Sequence, residues 1–329
     1  MLALSKHDIQ QLVSMNDAID LMKTAFLELR EGRATVPLRS AVDVQPGRAV
    51  TLLMPAFMPG IDALGFKVVS IFQDNPSRGL PTANAMVCMI DAGTGVPAAL
   101  LNGSYLTALR TGAVSGASTD LMARPDARVA TVIGAGAQGV TQAAAVCAAR
   151  PIERVNVVYR HEEAWRQFRD AVAADWPELS ERLHGTTDVE SAVREADVLC
   201  LATTSTTPVF EDAWVKDGTH VSGVGSFTPQ MQETPADFVA RARVVLDMKE
   251  HALEEAGDLI IPLRDGVFGE DHIVGELGDL VNGSVAGRTS DTEVTFFKSV
   301  GNAVQDMTVA DFAVRQARER GVGQEIDLG

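Results

Sequence analysis

Three glycines, Gly134, Gly136 and Gly139, lie in a GxGxxG spacing between a β-branched run and an alanine-rich run. The first permits a tight turn, the second leaves out a Cβ that would block a phosphate, and the third lets a helix pack close to a strand. The helix N-terminus adds N–H donors for an anion. A second apolar strand follows over 155–159, so the pattern predicts a βαβ unit that binds the pyrophosphate of a dinucleotide. A glycine turn in another kind of α/β protein is the alternative.

The end of the second strand, Tyr159-Arg160-His161, bears on which dinucleotide is bound. Proteins that bind NAD usually place an Asp or Glu here for the ribose hydroxyls. Arg160 offers a guanidinium instead, which can make charge-assisted contacts with a 2′-phosphate. We therefore expect these three residues to contact the cofactor and to favour NADP(H), with NAD(H) as the alternative. Glu162 and Glu163 follow directly and count against that preference, and an Arg160 that only covers the adenine or faces solvent is the competing interpretation.

Three cations, Arg39, Lys67 and Arg110, are candidates for holding an anionic substrate. Lys67 interrupts an apolar run over 65–72, where a buried ammonium is costly unless it is paired. Arg110 is also set among small and apolar residues. The alternatives are a lysine on the solvent face of a strand and an arginine in a structural ion pair.

Other catalytic chemistries have little support in the sequence. None of the six histidines has the spacing of metal ligands, so we expect no catalytic metal. Ser226 lies in Gly223-Val-Gly-Ser-Phe227, which is no full GxSxG match and has no identifiable triad. This glycine-rich segment, with Gly225 in it, follows a predicted strand at a location where loops of such folds face the nicotinamide.

The elements that would position these residues fall into two parts. In the first third, hydrophobic periodicity predicts one helix and then four strands, over 16–29, 50–57, 64–72, 84–90 and 97–101. Ser104 is expected to cap a helix that stops before Pro125. Beyond Gly134, strands alternate with helical stretches, the clearest of them over 155–159, 162–174, 198–202, 220–224 and 244–247. The predicted class is α/β, a doubly wound parallel Rossmann sheet plus a discontinuous α+β domain to which the last helix, over 304–318, returns.

Composition restricts the partners and the compartment. The 329 residues suggest two domains, and 28 Lys and Arg against 44 Asp and Glu give a net charge of −16. We therefore expect no nucleic-acid or membrane partner that needs a broad basic surface. Cys88, Cys147 and Cys200 lack CxxC spacing and are expected to be buried thiols in a reducing cytoplasm. No apolar run reaches the length of a transmembrane helix, and the N-terminal residues lack the layout of a signal peptide.

Several motifs together resemble the ornithine cyclodeaminase/mu-crystallin family over nearly the whole chain. They are Met54-Pro55, 65–69, 75–82, 91–95, 106–113, 134–139 and 296–301 with Asp306. The resemblance implies a substrate-binding and dimerisation domain over 1–115 and 300–329, around a Rossmann domain over 116–299. It implies a homodimer that acts on a small imino or amino acid. Arg39, Lys67 and Arg110 would hold the substrate carboxylate. The cofactor would be lined by Thr82, Arg110, Thr111, Ala137, Gln138, Thr203, Val224 and Ser299.

One residue departs from part of this family. The ornithine cyclodeaminases have a catalytic aspartate at the position that matches Phe227, and a phenyl ring moves no proton. The Gly225-Ser-Phe-Thr-Pro229 form is similar to the family's ketimine reductases, which reduce cyclic imino acids such as Δ1-pyrroline-2-carboxylate with NADPH. Lys67 would then hold the carboxylate or relay a proton, and Phe227 would face an apolar ring. An ornithine cyclodeaminase, an alanine-dehydrogenase-type enzyme and a non-catalytic binding protein like mu-crystallin are the alternatives.

Overall fold

The computed structural model describes residues 1–327. In chain order its strands are β1 (Leu2–Leu4), β2 (Ser40–Gln45), β3 (Ala49–Met58), β4 (Ala63–Phe72), β5 (Ala83–Ile90), β6 (Pro97–Asn102), β7 (Val129–Ile133), β8 (Arg154–Val158), β9 (Leu183–Thr186), β10 (Val198–Leu201), β11 (His220–Gly223), β12 (Arg243–Leu246), β13 (Ile273–Glu276), β14 (Thr295–Lys298) and β15 (Gln324–Glu325). Its helices are α1 (Lys6–Leu12), α2 (Met15–Arg30), α3 (Gly103–Met122), α4 (Ala137–Ala149), α5 (Glu162–Asp175), α6 (Val189–Glu195), α7 (Ala236–Arg241), α8 (Lys249–Glu255), α9 (Gly257–Arg264), α10 (Leu277–Val281) and α11 (Ala303–Arg320).

The chain divides into two compact units. Unit 1 comprises residues 1–110 and the described residues from Asn302 onward, and unit 2 comprises 111–301. The boundaries predicted from the sequence lie at 115/116 and 299/300. Unit 1 is therefore assembled from two separate stretches of the chain.

Unit 1 is built on a seven-stranded sheet in the order β15-β1-β6-β5-β4-β3-β2. Neighbouring strands are antiparallel, except that β1 and β6 are parallel. Helix α11 contacts β3, β4 and β5 as well as α2. The last long helix thus covers one face of the central strands and removes the side chains on that face from water.

The alternation of side chains along β4 selects which residues α11 covers. Ala63, Gly65 and Lys67 are buried, whereas the residues between them are half-buried. Lys67 lies opposite Met54 of β3 and Val87 of β5, both of which are buried. Directly paired residues point to the same face of a sheet, so a charged side chain stands within an otherwise apolar layer.

Helix α2 forms as its sequence predicts. Ser14 caps it in a capping box with Asp17, which satisfies backbone N–H groups of the first turn. Ile19, Met22 and Phe26 are buried along one stripe, as the apolar spacing requires. The helix predicted over 16–29 is therefore confirmed to within one residue at each end.

The start of helix α3 corrects one expectation. Ser104 lies inside this helix, and its hydroxyl accepts a hydrogen bond from the backbone N–H of Ala85 at 2.9 Å. The side chain of Asn102 instead accepts from the N–H of Tyr105 at 2.9 Å. The predicted Ser104 cap is therefore wrong, because β6 runs directly into the helix and brings Asn102 to the capping position. Within residues 1–327, neither α3 nor any other helix is both long and apolar enough to cross a membrane.

Unit 2 contains an eight-stranded sheet in the order β13-β12-β14-β11-β10-β7-β8-β9. Every neighbouring pair in it is parallel. Its core includes Phe238, which packs edge-to-face with Phe210 and Phe296 at ring-centroid distances of 5.3 and 5.6 Å. The predicted α/β class with a Rossmann-type parallel sheet is confirmed. The carboxyl ends of β7, β10 and β11 lie at one edge, where such sheets bind their ligands.

Candidate functional site

Lys67 is buried in unit 1 against the first turn of α11. Its Nζ atom donates a hydrogen bond to Asp306 Oδ2 at 2.7 Å, and the two residues are 1% and 0% exposed. An unpaired ammonium at this depth would be strongly disfavoured, so the ion pair is what permits a lysine here. The alternative of a lysine on the solvent face is therefore wrong.

Arg110 shares the same carboxylate. Its Nε atom donates to Asp306 Oδ1 at 3.2 Å, and its Nη1 atom donates to Gln305 Oε1 at 2.5 Å. Gln305 is itself fixed by the cap of α11, because its Oε1 also accepts the N–H of Asn302 at 3.0 Å. Two buried cations thus share one carboxylate, which leaves an excess of positive charge that suits an anion.

The environment makes Lys67 easier to deprotonate than an ordinary lysine. Burial and, after it, the charge of Arg110 lower the pKa of Lys67 to about 8, although the charge and hydrogen bond of Asp306 oppose the shift. The charge of Arg39 acts in the same direction as that of Arg110. Arg39 is half-buried and belongs to unit 1. The three cations proposed from the sequence therefore interact electrostatically.

The glycine-rich turn after β7 has the local geometry of a phosphate cradle. Gly134 has φ of 118°, and a Cβ there would lie 2.5 Å from the Ala202 carbonyl oxygen. A Cβ on Gly139 would collide with the carbonyl oxygen of Gly134. By contrast, a Cβ on Gly136 would meet no atom within 4 Å, and Gly136 begins α4 without a side-chain cap. The open space before the helix N-terminus fits a dinucleotide pyrophosphate.

A cavity of about 760 Å³ opens at this edge of the parallel sheet. Five of the predicted cofactor residues line it: Gly134, Gly136, Tyr159, Arg160 and Thr203. The loop after β10 contributes further lining at Ser205 and Val209. The cavity therefore extends from the glycine turn to the end of β8 on one side and to the loop after β10 on the other.

The end of β8 leaves Arg160 available to a ligand. Arg160 is exposed, lines the cavity, and has no ion-pair or hydrogen-bond partner among residues 1–327. The two nearby carboxylates are engaged elsewhere: Glu162 accepts from the Tyr159 hydroxyl at 2.5 Å, and Glu163 accepts from Arg166. The Tyr159 ring stacks on Trp165, with centroids 5.9 Å apart.

The remaining predicted cofactor residues do not line this cavity. Thr82 and Arg110 belong to unit 1. Those in unit 2 are Thr111, Ala137, Gln138, Gly139, His161, Val224, Gly225 and Ser299. Ala137 and His161 are both exposed. Ala137 is the first residue of α4, and His161 directly precedes α5. Ser299 is buried and donates to Asp247 Oδ2 at 2.7 Å, and a Gln138 side-chain oxygen is buried with no hydrogen-bond partner in the described part of the chain.

Two neighbouring residues in the loop after β11 differ in their exposure to solvent. Phe227 is 39% exposed, whereas Ser226 is fully buried. The Ser226 hydroxyl donates to the Met231 carbonyl at 2.7 Å and accepts the N–H of Asp258 at 3.3 Å. Ser226 is thus occupied in holding the loop, whereas Phe227 presents a partly exposed apolar ring. Over residues 1–327 no group of three His, Cys, Asp or Glu side chains is arranged to hold a metal ion.

The partners of the predicted cations were not predicted from the sequence, in which Asp306 stood only as part of a motif and Gln305 was not singled out. The buried Glu233 of unit 2 was not predicted either. The available signal was an acidic residue one turn into a helix that is otherwise apolar on its inner face, which is the same kind of signal that identified Lys67 in β4.

The chain was compared with protein families and with known proteins. The model of the ornithine cyclodeaminase/mu-crystallin family matches residues 1–321. A Δ1-pyrroline-2-carboxylate reductase from Bacillus cereus is 41% identical over 329 residues, which cover 100% of both chains.

Two solved structures extend the comparison. The Δ1-pyrroline-2-carboxylate reductase of Thermococcus litoralis, in complex with NADH and L-proline, has a TM-score of 0.94 and 38% identity, covering 99% of this chain and all of that one. An archaeal alanine dehydrogenase dimer with bound NAD has a TM-score of 0.90 and 30% identity, covering 100% of this chain and 99% of that one. The similarity thus extends over both units.

The buried Lys67 predicts a pH-dependent stability. Its pKa falls from an ordinary 10.5 to about 8 on folding, so between these values the unfolded chain binds a proton that the folded protein has released. The contribution of Lys67 to the free energy of unfolding therefore rises with pH across that window, by up to about 3 kcal/mol. Urea unfolding from about pH 8 to 10.5 should show the wild type gaining stability relative to Lys67→Met, but not relative to the exposed control Lys6→Met. A difference between wild type and Lys67→Met that is constant with pH would contradict the assignment.

Proposed function

This chain belongs to the ornithine cyclodeaminase/mu-crystallin family, and on that premise we propose that it reduces cyclic imino acids of the Δ1-pyrroline-2-carboxylate and Δ1-piperideine-2-carboxylate type to L-amino acids with a nicotinamide cofactor. The observation that carries the proposal is the buried pair of cations, Lys67 and Arg110, which share one carboxylate, that of Asp306. The similar reductases from Bacillus cereus and Thermococcus litoralis support it.

The substrate carboxylate supplies the negative charge that the cation cluster lacks. Arg110 offers a planar fork of donors, and Lys67 offers a compact ammonium. With Arg39 they form the proposed clamp. Holding the carboxylate at fixed donors orients the C=N bond, and orientation contributes much of the rate in a reaction of this kind.

Lys67 is also the proposed source of a proton. Reduction of a C=N bond adds a hydride to carbon and requires a proton on nitrogen. The lowered pKa of Lys67, about 8, brings it close to the range in which a group both holds and releases a proton near neutral pH. Asp306 keeps the Nζ atom in place and favours its charged form, so that the proton is retained until the substrate accepts it.

The proposed cofactor site is the cradle after β7 and the cavity beside it. Gly134, Gly136 and Gly139 would hold the pyrophosphate, and Tyr159, Arg160 and His161 would contact the adenosine end. When bound, the reduced nicotinamide supplies a hydride. Arg160 is exposed and has no partner among residues 1–327, which supports a preference for NADP(H), because the nearby carboxylates of Glu162 and Glu163 already accept other donors. The remaining cofactor residues implied by the family resemblance keep that role in the proposal.

Phe227 favours a cyclic imino acid as the substrate over an open-chain diamino acid. Ornithine carries a terminal ammonium, which is stabilised by a nearby carboxylate, whereas the ring of a proline-like substrate is apolar. A partly exposed phenyl side chain suits the ring and cannot relay protons. We therefore propose Phe227 as a substrate-contacting residue and favour reduction over cyclodeamination.

We also propose a homodimer that forms through the open face of the unit 1 sheet. Leu53, Val68 and Met86 lie opposite one another on β3, β4 and β5, on the face away from Lys67. Leu53 and Met86 are 41% and 44% exposed. Contiguous exposed apolar residues of this kind mark interaction surfaces, and the similar archaeal alanine dehydrogenase is a dimer.

The free thiols of Cys88, Cys147 and Cys200 support a reducing compartment such as the cytoplasm.

The proposed reaction predicts turnover that depends on Lys67. The wild type should oxidise NADPH when Δ1-pyrroline-2-carboxylate is added. The loss of nicotinamide absorbance measures this turnover. Lys67→Ala should lower kcat by about 100-fold or more, the range expected for loss of a group that transfers a proton, while still binding NADPH. Lys6→Ala, which removes an exposed lysine of unit 1, is the control. A fully active Lys67→Ala enzyme would refute this role for Lys67, and a wild type without any turnover would refute the reaction.

Arg160 should decide between the two cofactors. Arg160→Asp replaces a phosphate-binding cation by a repelling carboxylate, so NADPH binding should weaken by about 2 kcal/mol, roughly 30-fold, with a much smaller change for NADH. Titration of each cofactor against protein fluorescence measures this directly. Arg264→Asp makes the same charge change at an exposed position on α9 and should leave both affinities unchanged. Equal losses for NADPH and NADH would mean that Arg160 does not contact a 2′-phosphate.

The dimer proposal predicts a change in mass in solution. Charges placed in an apolar interface are desolvated without a partner, so the double variant Leu53→Lys, Met86→Lys should sediment as a monomer. Val267→Lys, at an exposed apolar residue of unit 2, should keep the mass of the wild type. If the double variant keeps the dimeric mass, the dimer forms through another surface.

A further inference from the structure

One buried carboxylate connects two loops at the edge of the parallel sheet in unit 2. Glu233 is 0% exposed. Its Oε1 atom accepts the N–H of Thr203, in the loop after β10, at 2.6 Å. Its Oε2 atom accepts the N–H groups of Gly225 and Ser226, in the loop after β11, at 2.8 and 3.1 Å. Each oxygen of the side chain therefore accepts hydrogen bonds from a different loop.

The backbone around Glu233 also supports the wall of the cavity. The carbonyl of Glu233 accepts the N–H of Val209 at 2.9 Å, and the N–H of Gln232 donates to the Ser205 carbonyl at 3.0 Å. Thr203, Ser205 and Val209 all line the cavity. One short segment thus fixes the whole loop after β10, by its side chain at one end and by its backbone at the other.

Glu233 is held in turn by a buried charge cluster. Asp258 Oδ1 accepts the N–H of Glu233 at 2.7 Å, and Asp258 Oδ2 lies 3.3 Å from Lys298 Nζ. Lys298 and Asp258 are 0% exposed. Burial raises the pKa of Glu233 to about 7, with the Lys298 ammonium opposing that rise and the Asp258 carboxylate adding to it.

The hydrogen bonds around this side chain suit a glutamate. A carboxylate accepts hydrogen bonds, and three backbone N–H groups donate to it here. A glutamine would direct its own NH₂ group at one of them and leave a buried donor unsatisfied. The fit is also close, because a Cβ on Gly225 would collide with Glu233 Oε1 and with the Thr203 carbonyl oxygen.

We propose that Glu233 is a positioning residue for the cofactor, which fixes the loop after β10, one wall of the dinucleotide cavity, by tying it to the loop after β11. This inference rests on the proposed function for the identity of the ligand. Glu233 acts through the backbone of Thr203 and of the segment to Val209, and it contacts neither reacting group. Its loss therefore weakens cofactor binding and leaves the chemical step largely intact.

The test compares Glu233→Gln and Glu233→Asp with the wild type. NADPH binding is measured by quenching of protein fluorescence, since Trp165 stacks on Tyr159 at the cavity, and turnover is measured with Δ1-pyrroline-2-carboxylate. Glu233→Gln should raise both Kd and KM for NADPH by about tenfold or more, as expected for loss of a charge-assisted hydrogen bond, with kcat at saturating cofactor near the wild-type value. Glu254→Gln, at an exposed glutamate of α8, should change neither.

Glu233→Asp separates positioning from charge balance. It keeps the negative charge beside Lys298 but is one methylene too short to reach both loops, so the proposal expects a raised Kd for NADPH in this variant too. Were Glu233 needed only to balance buried charge, Glu233→Asp would bind NADPH like the wild type, and that result overturns the proposal even if Glu233→Gln does not fold. A wild type that binds NADPH without reducing the imino acid refutes the proposed reaction while the binding test still decides the role of Glu233. A wild type that binds neither NADPH nor NADH overturns both.

Discussion

The sharing of one buried carboxylate by two cations is the interaction on which the first unit depends. Asp306 accepts from Lys67 and from Arg110, and all three residues are nearly inaccessible to water. Removing one partner of a buried ion pair commonly costs about 3 to 5 kcal/mol, a large fraction of the roughly 5 to 15 kcal/mol by which native proteins are stable. The shared carboxylate therefore holds α11 against β4, and two cations on one carboxylate leave a net positive charge that the proposed anionic substrate would balance.

Unit 2 also contains a buried charge cluster, but there the excess charge is negative. Its buried cluster has two carboxylates, Glu233 and Asp258, for one ammonium, Lys298, and the surplus acceptors are satisfied by backbone N–H groups. In unit 1 the excess charge is available to the proposed substrate, whereas in unit 2 the excess acceptors bond the backbone of two loops. Both arrangements place charged groups where a core made only of apolar residues would have been simpler, as is common at functional sites.

The sequence predicted the elements and the local motifs well, for a physical reason. A GxGxxG turn, an amphipathic helix and a lysine inside an apolar strand are recognisable from neighbouring residues, and α2, β4 and the turn at Gly134 occur where they were expected. The partners of buried charges were not predictable in this way. Asp306 lies 239 positions from Lys67, and which residue of a distant helix faces a strand depends on packing and register. The Ser104 cap failed on a smaller scale, because a strand that runs directly into a helix moved the capping position to Asn102.

The division of unit 1 between the two ends of the chain has a consequence for how the protein is made. Unit 2 is one continuous stretch, so its contacts become available as soon as that stretch leaves the ribosome. The strands of unit 1 are synthesised much earlier, yet α11 is among the last elements to appear. During synthesis Lys67 therefore lacks its counter-ion, Asp306, until α11 has been made. The sheet of unit 1 stays without its covering helix while unit 2 is being synthesised. Contacts between such distant parts of the chain also form slowly in refolding, because a long loop must close before they stabilise the sheet.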